Sequence, residues 1–146
     1  MFALIITIVS IAMVTALSAA TLYYMSTVTF SQTVKVDASV FISGAEQIAA
    51  AFVLHNLNGV DNTPTLDSLL PDYLTIVPNY KGAEYLFHAT YKNYLTTHVS
   101  RDVCLELNSR NGITVETPDV TQYTYSCLVG DDVEPPLAFY KVLENH

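Results

Sequence analysis

Two cysteines, four histidines and one acidic turn carry the side chains of this chain that could take part in catalysis or metal binding. The cysteines are Cys104 and Cys127, and the histidines are scattered along the chain, at His55, His88, His98 and His146. No Cys-x-x-Cys or His-x-x-x-His spacing occurs, and there is neither a nucleophile elbow nor a glycine-rich phosphate loop. The sequence therefore predicts no enzyme, no metal site and no cofactor.

The acidic turn and the tyrosines each allow two interpretations. Asp131, Asp132 and Glu134 precede two prolines; three acids in such a turn are usually solvated, and the other interpretation is a cation site. The ten tyrosines could form an adhesive surface. Tyr123 and Tyr125 stand at alternate positions, which favours packing in a strand with the hydroxyl groups in water.

The charge of the chain is unevenly distributed. The formal net charge is −8, with 6 basic and 14 acidic residues, and none of the charged residues lies before Lys35. An acidic surface repels nucleic-acid phosphates and anionic lipid headgroups. We therefore expect no direct binding of nucleic acid, and a soluble acidic domain after the uncharged N-terminal block.

The uncharged N-terminal block is long enough to cross a membrane. As an α-helix, residues 1–24 would span about 36 Å, against about 30 Å for the hydrocarbon core of a bilayer. A cleavable signal peptide is the alternative, with Ser18-Ala19-Ala20 as the cleavage region, but the basic start of such peptides is missing. A buried core helix is excluded because so small a domain could not cover an element that is apolar on every side.

The helical pattern continues beyond the uncharged block. Apolar residues recur at spacings of 4, 4, 3, 4, 3 and 4, whereas Gln32, Lys35, Ser39, Glu46 and Gln47 lie off this stripe. No glycine precedes Gly44, and an alternating strand pattern exists only near Val34–Val40. We predict one helix from near Met1 to about Leu57, ended by Asn58-Gly59. Its stripe, expected to pack on the rest of the protein, is Phe30, Val34, Ala38, Phe41, Ala45, Ile48 and Phe52.

The remaining residues predict a small mixed domain. A short helix capped by Thr63 or Thr65 is expected before Pro71, and a second helix is expected from Ser100 to Asn111-Gly112. Three runs rich in Tyr, Phe, Val and Thr predict an antiparallel sheet, at 84–91, 122–130 and 137–143. The predicted fold is α+β, with a long N-terminal helix, apolar in its first half and amphipathic in its second, packed on a C-terminal antiparallel β-sheet head. We expect three divisions of the chain. Residues 1–25 would be the membrane-spanning or filament-core half of the helix, residues 26–57 its amphipathic half, and residues 58–146 the globular head with the sheet and the C-terminal disulfide region.

This order of elements resembles that of a type IV pilin. The apolar helix continuing into an amphipathic one, the "TPTLDSLLPDYL" segment, the sheet and the two late cysteines carry the resemblance, and "VCLELN" looks more like the type IVb branch, which includes conjugative pilins. The resemblance implies a subunit of an extracellular bacterial filament, held in the inner membrane before assembly. Its implied partners are further copies of the chain and a pilus assembly machinery. The implied filament-core residues are Met1, Phe2, Ile5, Ile8, Ile11 and Val14.

The chain also departs from the pilin pattern. Ile5 stands where the family usually has Glu, which suggests a minor or tip subunit, or assembly by packing alone. No basic leader precedes Met1, so we expect a processed terminus at Met1, with ordinary translation from Met1 as the alternative. The apolar half contains no Gly or Pro, so any melting of the helix would have to use the region rich in Ser and Thr around residues 18–29.

The apolar anchor bears on the state of the cysteines. Cys104 and Cys127 both follow the anchor, on its soluble side, and we expect a disulfide between them that contributes about 3 kcal/mol to stability.

Two further functions remain open beside that of a pilin. One is a membrane-anchored binding domain in the periplasm or outside the cell, and the other is a minor pilin or a pseudopilin of a type II secretion system.

Overall fold

The computed structural model describes residues 2–58, 65–90, 93–115, 117–130 and 133–142. These residues belong to two compact units, Met1–Val34 and Lys35–His146. The first helix, α1, extends over Phe2–Leu57 and contributes residues to both units. The predicted long helix is therefore confirmed from Phe2 onward, whereas Met1 and Gly59 lie outside the described residues. The absence of Pro and Gly before Gly44 explains why the helix is continuous.

In the second unit, one face of α1 packs on the head and is fully covered. Ala38, Phe41, Ala45 and Ile48 are completely buried, and Phe52 is 4% exposed. Val34 is only half-buried and falls in the first unit, where Phe30 is exposed. The part of the predicted stripe that follows Val34 is thus the core-facing side of the helix. Burying these side chains contributes about 1.5–3 kcal/mol for each large one.

The head contains a four-stranded antiparallel sheet and a separate two-stranded hairpin. The sheet has the strand order β3-β4-β6-β5, and the strands are β3 (Leu86–Phe87), β4 (Tyr94–His98), β5 (Tyr125–Gly130) and β6 (Val133–Lys141). The hairpin joins β1 (Asn79–Tyr80) to β2 (Ala83–Glu84) through Lys81 and Gly82. Both turn residues have positive φ, 49° and 85°, as in the tight turns that match the twist of a hairpin. The predicted α+β fold, with a helix on an antiparallel sheet, is confirmed.

One prediction about the strands was wrong, and one strand was missed. The run 84–91 is not one strand, because Tyr85 turns into the core between β2 and β3 and is fully buried; Tyr91 lies outside the described residues. Strand β4 was missed, because four of its five residues are buried and the burial does not alternate. Such a strand lacks the period of two by which half-buried strands are recognised.

The predicted runs at 122–130 and 137–143 correspond to β5 and β6, with shifted ends. β5 begins at Tyr125, because Gln122 belongs to a 3₁₀ helix, Val120–Gln122. β6 begins before the prolines, and the Pro136 carbonyl accepts a hydrogen bond from the Val99 amide. Proline has no amide hydrogen to donate, so it is compatible with a strand position at which only its carbonyl takes part in hydrogen bonding. Leu143 lies outside the described residues.

The two short helices form close to where they were predicted. A 3₁₀ helix, Leu66–Leu69, is capped by Thr65 in a capping box with Ser68; Thr63 lies outside the described residues. The second α-helix, α2, covers Arg101–Arg110, with the Ser100 side chain as N-cap. After its C-cap, Gly112 has φ of 69°, which a glycine adopts without strain.

Candidate functional site: the exposed apolar helix

The first unit presents an uncharged and largely apolar helix, most of which is exposed. Every residue of the ranges 5–25 and 28–33 is exposed. Four of the predicted filament-core residues are on this segment, with exposed fractions of 58% for Ile5, 59% for Ile8, 65% for Ile11 and 62% for Val14. Met1 and the side chain of Phe2 lie outside the described part of the chain. An uncovered apolar surface of this extent is unfavourable in water and marks a site of contact with lipid or protein.

Six hydroxyl groups of this segment bond to the backbone of the helix itself. Ser10 donates to the Ile6 carbonyl at 2.8 Å, and Ser18 donates to the Val14 carbonyl at 2.8 Å. The same bond to the carbonyl four residues earlier is made by Thr15, Thr21, Thr29 and Thr33. A hydroxyl without a partner is costly in an apolar environment, and these bonds remove that cost. These six side chains are therefore compatible with surroundings free of water.

The segment is also long enough for a membrane. Among the described residues there is one helix, Ile5–Leu57, that is long and apolar enough to cross a bilayer, and its most apolar window has a mean hydropathy of 2.2. None of that window is buried within the protein. Membrane anchors share this length and composition with signal sequences. The helix could thus anchor the chain in a membrane.

The two cysteines form the predicted disulfide. Cys104 on α2 and Cys127 on β5 are joined, with their Cα atoms 5.3 Å apart, and both are completely buried. This prediction is confirmed. The bond ties α2 to the outer strand of the four-stranded sheet.

Sequence reasoning missed the amide side chains that lie beside this disulfide. The Asn108 side chain accepts a hydrogen bond from the Cys127 amide and donates one to the Cys127 carbonyl, both at 2.8 Å. Asn111 donates to the Tyr125 carbonyl. The side chains of Asn108 on α2 and of its C-cap residue Asn111 thereby take the place of a neighbouring strand along the open edge of β5. Only the spacing of three residues between these asparagines could have suggested that both lie on one side of the end of the helix.

The other candidate residues are not brought together. His55 is buried, with its ring against that of Tyr73, whereas His88 lies beside Phe139 and His98 is exposed. Tyr123 and Tyr125 are half-buried. No group of three or more His, Cys, Asp or Glu side chains in the described part of the chain is placed to hold a metal ion. Asp131, Asp132, His146 and the side chain of Glu134 lie outside it.

A groove of about 530 Å³ lies beside α1 in the second unit. Its lining includes Val36, Val40 and Gly44 of α1, together with Pro78, Asn79 and Arg110. Arg110 is held in place, since it donates to the Lys35 carbonyl at 2.8 Å, to the Ser39 hydroxyl at 3.2 Å and to the Glu106 carboxylate at 3.0 Å. The lining of the groove therefore has apolar and polar parts, and its arginine is held in place.

Comparisons with protein-family models, with curated proteins and with solved structures each find no match to this chain. The support for the resemblance is therefore architectural. A long apolar N-terminal helix, a small antiparallel sheet and one disulfide together form an architecture that is compatible with that of a type IV pilin.

Proposed function

We propose that this protein is a structural subunit of an extracellular filament of the type IV pilus kind, and that it polymerises through its apolar N-terminal helix. The observation that carries the proposal is the uncharged helix of residues 5–33, in which residues 5–25 and 28–33 are exposed and six hydroxyl groups bond to the helix backbone. A helix of this kind is stable both in a bilayer and in a bundle of identical helices. The same surface can therefore store subunits in the inner membrane and later hold them together.

The head fits the outside of such a filament. All charged residues of the chain follow residue 34, and their balance of −8 keeps the head hydrated. Its disulfide is typical of proteins in oxidising compartments, such as the periplasm and the cell surface. The proposed partners are further copies of the chain, the inner membrane before assembly and an assembly machinery. No catalytic step and no cofactor enters this function.

A membrane-anchored binding domain is the second candidate. The groove between α1 and Arg110 favours it, because a pocket with fixed polar groups is a feature of ligand sites. In this case the helix would serve only as a tether. A minor pilin or a pseudopilin is a variant of the first proposal, with the same apolar helix and the same head.

The substitution Ile11→Lys separates assembly from anchoring. In a filament core it would leave an unpaired ammonium group away from water, at a cost of several kcal/mol per subunit. In a membrane helix one central Lys costs about 3 kcal/mol on insertion scales, and so apolar a segment still inserts. We expect Ile11→Lys to reach the membrane and to form no filaments. The readout is electron microscopy of sheared cell-surface material, normalised to the membrane-bound protein.

Ile76→Lys provides the matched control, because Ile76 lies in the head and is 76% exposed. This variant should form filaments as the wild type does. Abundant filaments from Ile11→Lys would contradict packing through this helix. Absence of filaments from the wild type, with the protein stable in the membrane, would favour the tethered binding domain.

A further inference from the structure

The groove beside α1 differs in charge from the rest of the chain. Lys35 and Arg110 both line it, and among the described residues no Asp or Glu belongs to its lining. The whole chain, in contrast, has 14 acidic residues and 6 basic ones. A cleft lined by charges of one sign concentrates ions of the opposite sign. The groove therefore favours an anion as its occupant.

The polar groups that the groove can offer to a ligand are mainly hydrogen-bond donors. Arg110 has five N–H groups, and its bonds to Glu106, Ser39 and the Lys35 carbonyl use three of them. The ammonium group of Lys35 has no partner in the described part of the chain. The Asn79 side-chain oxygen accepts a hydrogen bond from the Gly82 amide at 3.2 Å, which leaves the NH₂ group of Asn79 to donate. Such a set of donors suits the oxygen atoms of an anion.

The balance of charge at the groove limits the charge of this anion. The Glu106 carboxylate lies 3.0 Å from Nε of Arg110 and offsets the charge of that guanidinium. Together with Lys35, the three side chains carry a net charge of one positive unit. An occupant with two negative charges would be repelled by Glu106, whereas one with a single charge is matched. A carboxylate fits this balance better than a phosphate monoester.

Apolar side chains beside these donors call for an apolar part in the ligand. Val36 is 60% exposed and Val40 is 46% exposed, and both line the groove together with Pro78. Covering the two valines with an aliphatic or aromatic group would remove apolar surface from water. The volume of about 530 Å³ lies within the range of sites for small molecules.

We propose that the groove binds a small monocarboxylate with an apolar body. The carboxylate accepts hydrogen bonds from Arg110 and Lys35, and the body lies against Val36 and Val40. The inference names the ligand class for the second candidate function, that of a binding domain. It does not depend on polymerisation, because every residue that lines the groove belongs to the second unit.

Titrations followed by methyl NMR test the ligand class. The full-length protein, with labelled valine methyl groups, is held in nanodiscs of zwitterionic lipid and titrated with hexanoate, hexan-1-ol and hexylammonium, which share one apolar body. We expect hexanoate to shift the methyl signals of Val36 and Val40 and to bind about tenfold or more tightly than hexan-1-ol. Hexylammonium should not bind. Val115 provides the control signal, because it is 57% exposed and does not line the groove, so it should not shift.

Three outcomes of these titrations would overturn the inference. The first is the absence of a hexanoate-dependent shift at Val36 and Val40. The second is equal affinity for hexanoate and hexan-1-ol, which would mean that the groove recognises only the apolar body. The third is tighter binding of a tetraglutamate peptide at the same methyl groups, which would make an acidic protein segment the occupant.

Substitution of the two basic residues gives an independent readout. Lys35→Gln and Arg110→Gln should each weaken hexanoate binding by about threefold to tenfold and leave the affinity for hexan-1-ol unchanged. Arg101→Gln is the matched control, because it removes one positive charge at the other end of α2, outside the lining of the groove. It should bind hexanoate as the wild type does. Equal losses for hexanoate and hexan-1-ol would show that the basic residues only shape the groove, and would overturn the assigned anion site.

This inference and the filament proposal fail in different ways. Filaments from the wild type without hexanoate binding at Val36 and Val40 would overturn the ligand site and leave the filament proposal standing. Hexanoate binding without wild-type filaments would overturn the filament proposal and support the ligand site in a tethered binding domain.

Discussion

Gly44 allows a tyrosine to approach the backbone of α1. A Cβ atom at this position would lie 2.6 Å from the Tyr85 hydroxyl oxygen, which donates a hydrogen bond to the Phe41 carbonyl at 2.8 Å. The Tyr85 ring is stacked on that of Phe41 with centroids 5.9 Å apart, and it is completely buried, so it has no room to retreat. The glycine is therefore required by packing, although glycine weakens a helix by about 1 kcal/mol relative to alanine.

Gly44→Ala should consequently lower the free energy of unfolding, by about 1–3 kcal/mol, since the clash outweighs the gain in helix propensity. Denaturant titration of the full chain in detergent, followed by circular dichroism, measures the change. Gly130→Ala is the control, because a Cβ atom there has no neighbour within 4 Å. If Gly44→Ala were as stable as the wild type or more stable, the Tyr85 side chain would be able to move away from the added methyl group without a loss of stability.

The buried hydroxyl of Tyr85 also predicts a dependence on pH. Burial raises its pKa above the ordinary value, and the neighbouring Tyr80 raises it further. In the unfolded chain the group ionises near pH 10, and in the folded chain only at higher pH. Its contribution to stability is therefore complete below about pH 10 and declines as the pH rises above that value.

Tyr85→Phe should reduce this alkaline loss of stability. We expect the free energy of unfolding of the wild type to fall more steeply than that of the variant above about pH 10. The pKa values of Tyr80 and Tyr140 are also raised, by burial first, so some dependence should persist in the variant. Parallel curves for the two proteins, measured by denaturant titration at increasing pH, would contradict a buried neutral phenol at this position.

Among the elements, strand β5 and helix α2 depend on each other. One edge of β5 pairs with β6, where Cys127 lies opposite Ala138. On the other edge the Cys127 amide and carbonyl bond to Asn108, which is 3% exposed. Side-chain amides of a helix thus satisfy backbone groups that an unprotected edge would offer to another strand. The disulfide holds the helix at the same point.

Asn108→Leu tests this arrangement at the scale of the element. The substitution keeps the volume but leaves the amide and the carbonyl of Cys127 without partners, and we expect a loss of about 2–4 kcal/mol in the free energy of unfolding. Ser109→Ala, one residue further on an exposed part of α2, should change it little. If thermal and denaturant unfolding of Asn108→Leu matched the wild type, the amide bonds would not contribute to stability.

At the scale of the whole molecule, the chain divides at Val34 into two compact units. The large, completely buried side chains, Phe41, Ile48, Tyr85, Leu95, Leu107 and Phe139 among them, all belong to the second unit. The disulfide belongs to it as well. The second unit therefore contains its own core and its own crosslink, which are the requirements of an independently folding domain.

A chain of residues 35–146 should accordingly fold alone. We expect it to be monomeric by sedimentation, to unfold cooperatively and to have no free thiol by mass spectrometry under non-reducing conditions, because the Cys104–Cys127 bond lies within it. It should form no filaments, since it lacks residues 5–33. A disordered circular dichroism spectrum or free thiols would show that the first unit is needed for folding.

The sequence by itself determined those features that depend on neighbouring residues. The length of α1 follows from the absence of Pro and early Gly. The side of α1 that faces the core follows from the spacing of Phe41, Ile48 and Phe52, and the ends of α2 follow from Ser100 and Gly112. The disulfide was also predictable, because the chain has only two cysteines and an apolar segment precedes both. These signals are local or compositional, so they can be read without knowledge of the packing.

Only the tertiary structure decided how distant residues combine. The break between β2 and β3 occurs because the Tyr85 side chain reaches the Phe41 carbonyl, 44 positions away, and β4 forms because β3 and β6 pair with it on both sides. Likewise, the exposed side of α1 around Val40 became recognisable only when the head was seen to cover the opposite face of the helix. Each of these depends on contacts between residues far apart in the chain, which the local pattern of the sequence does not specify.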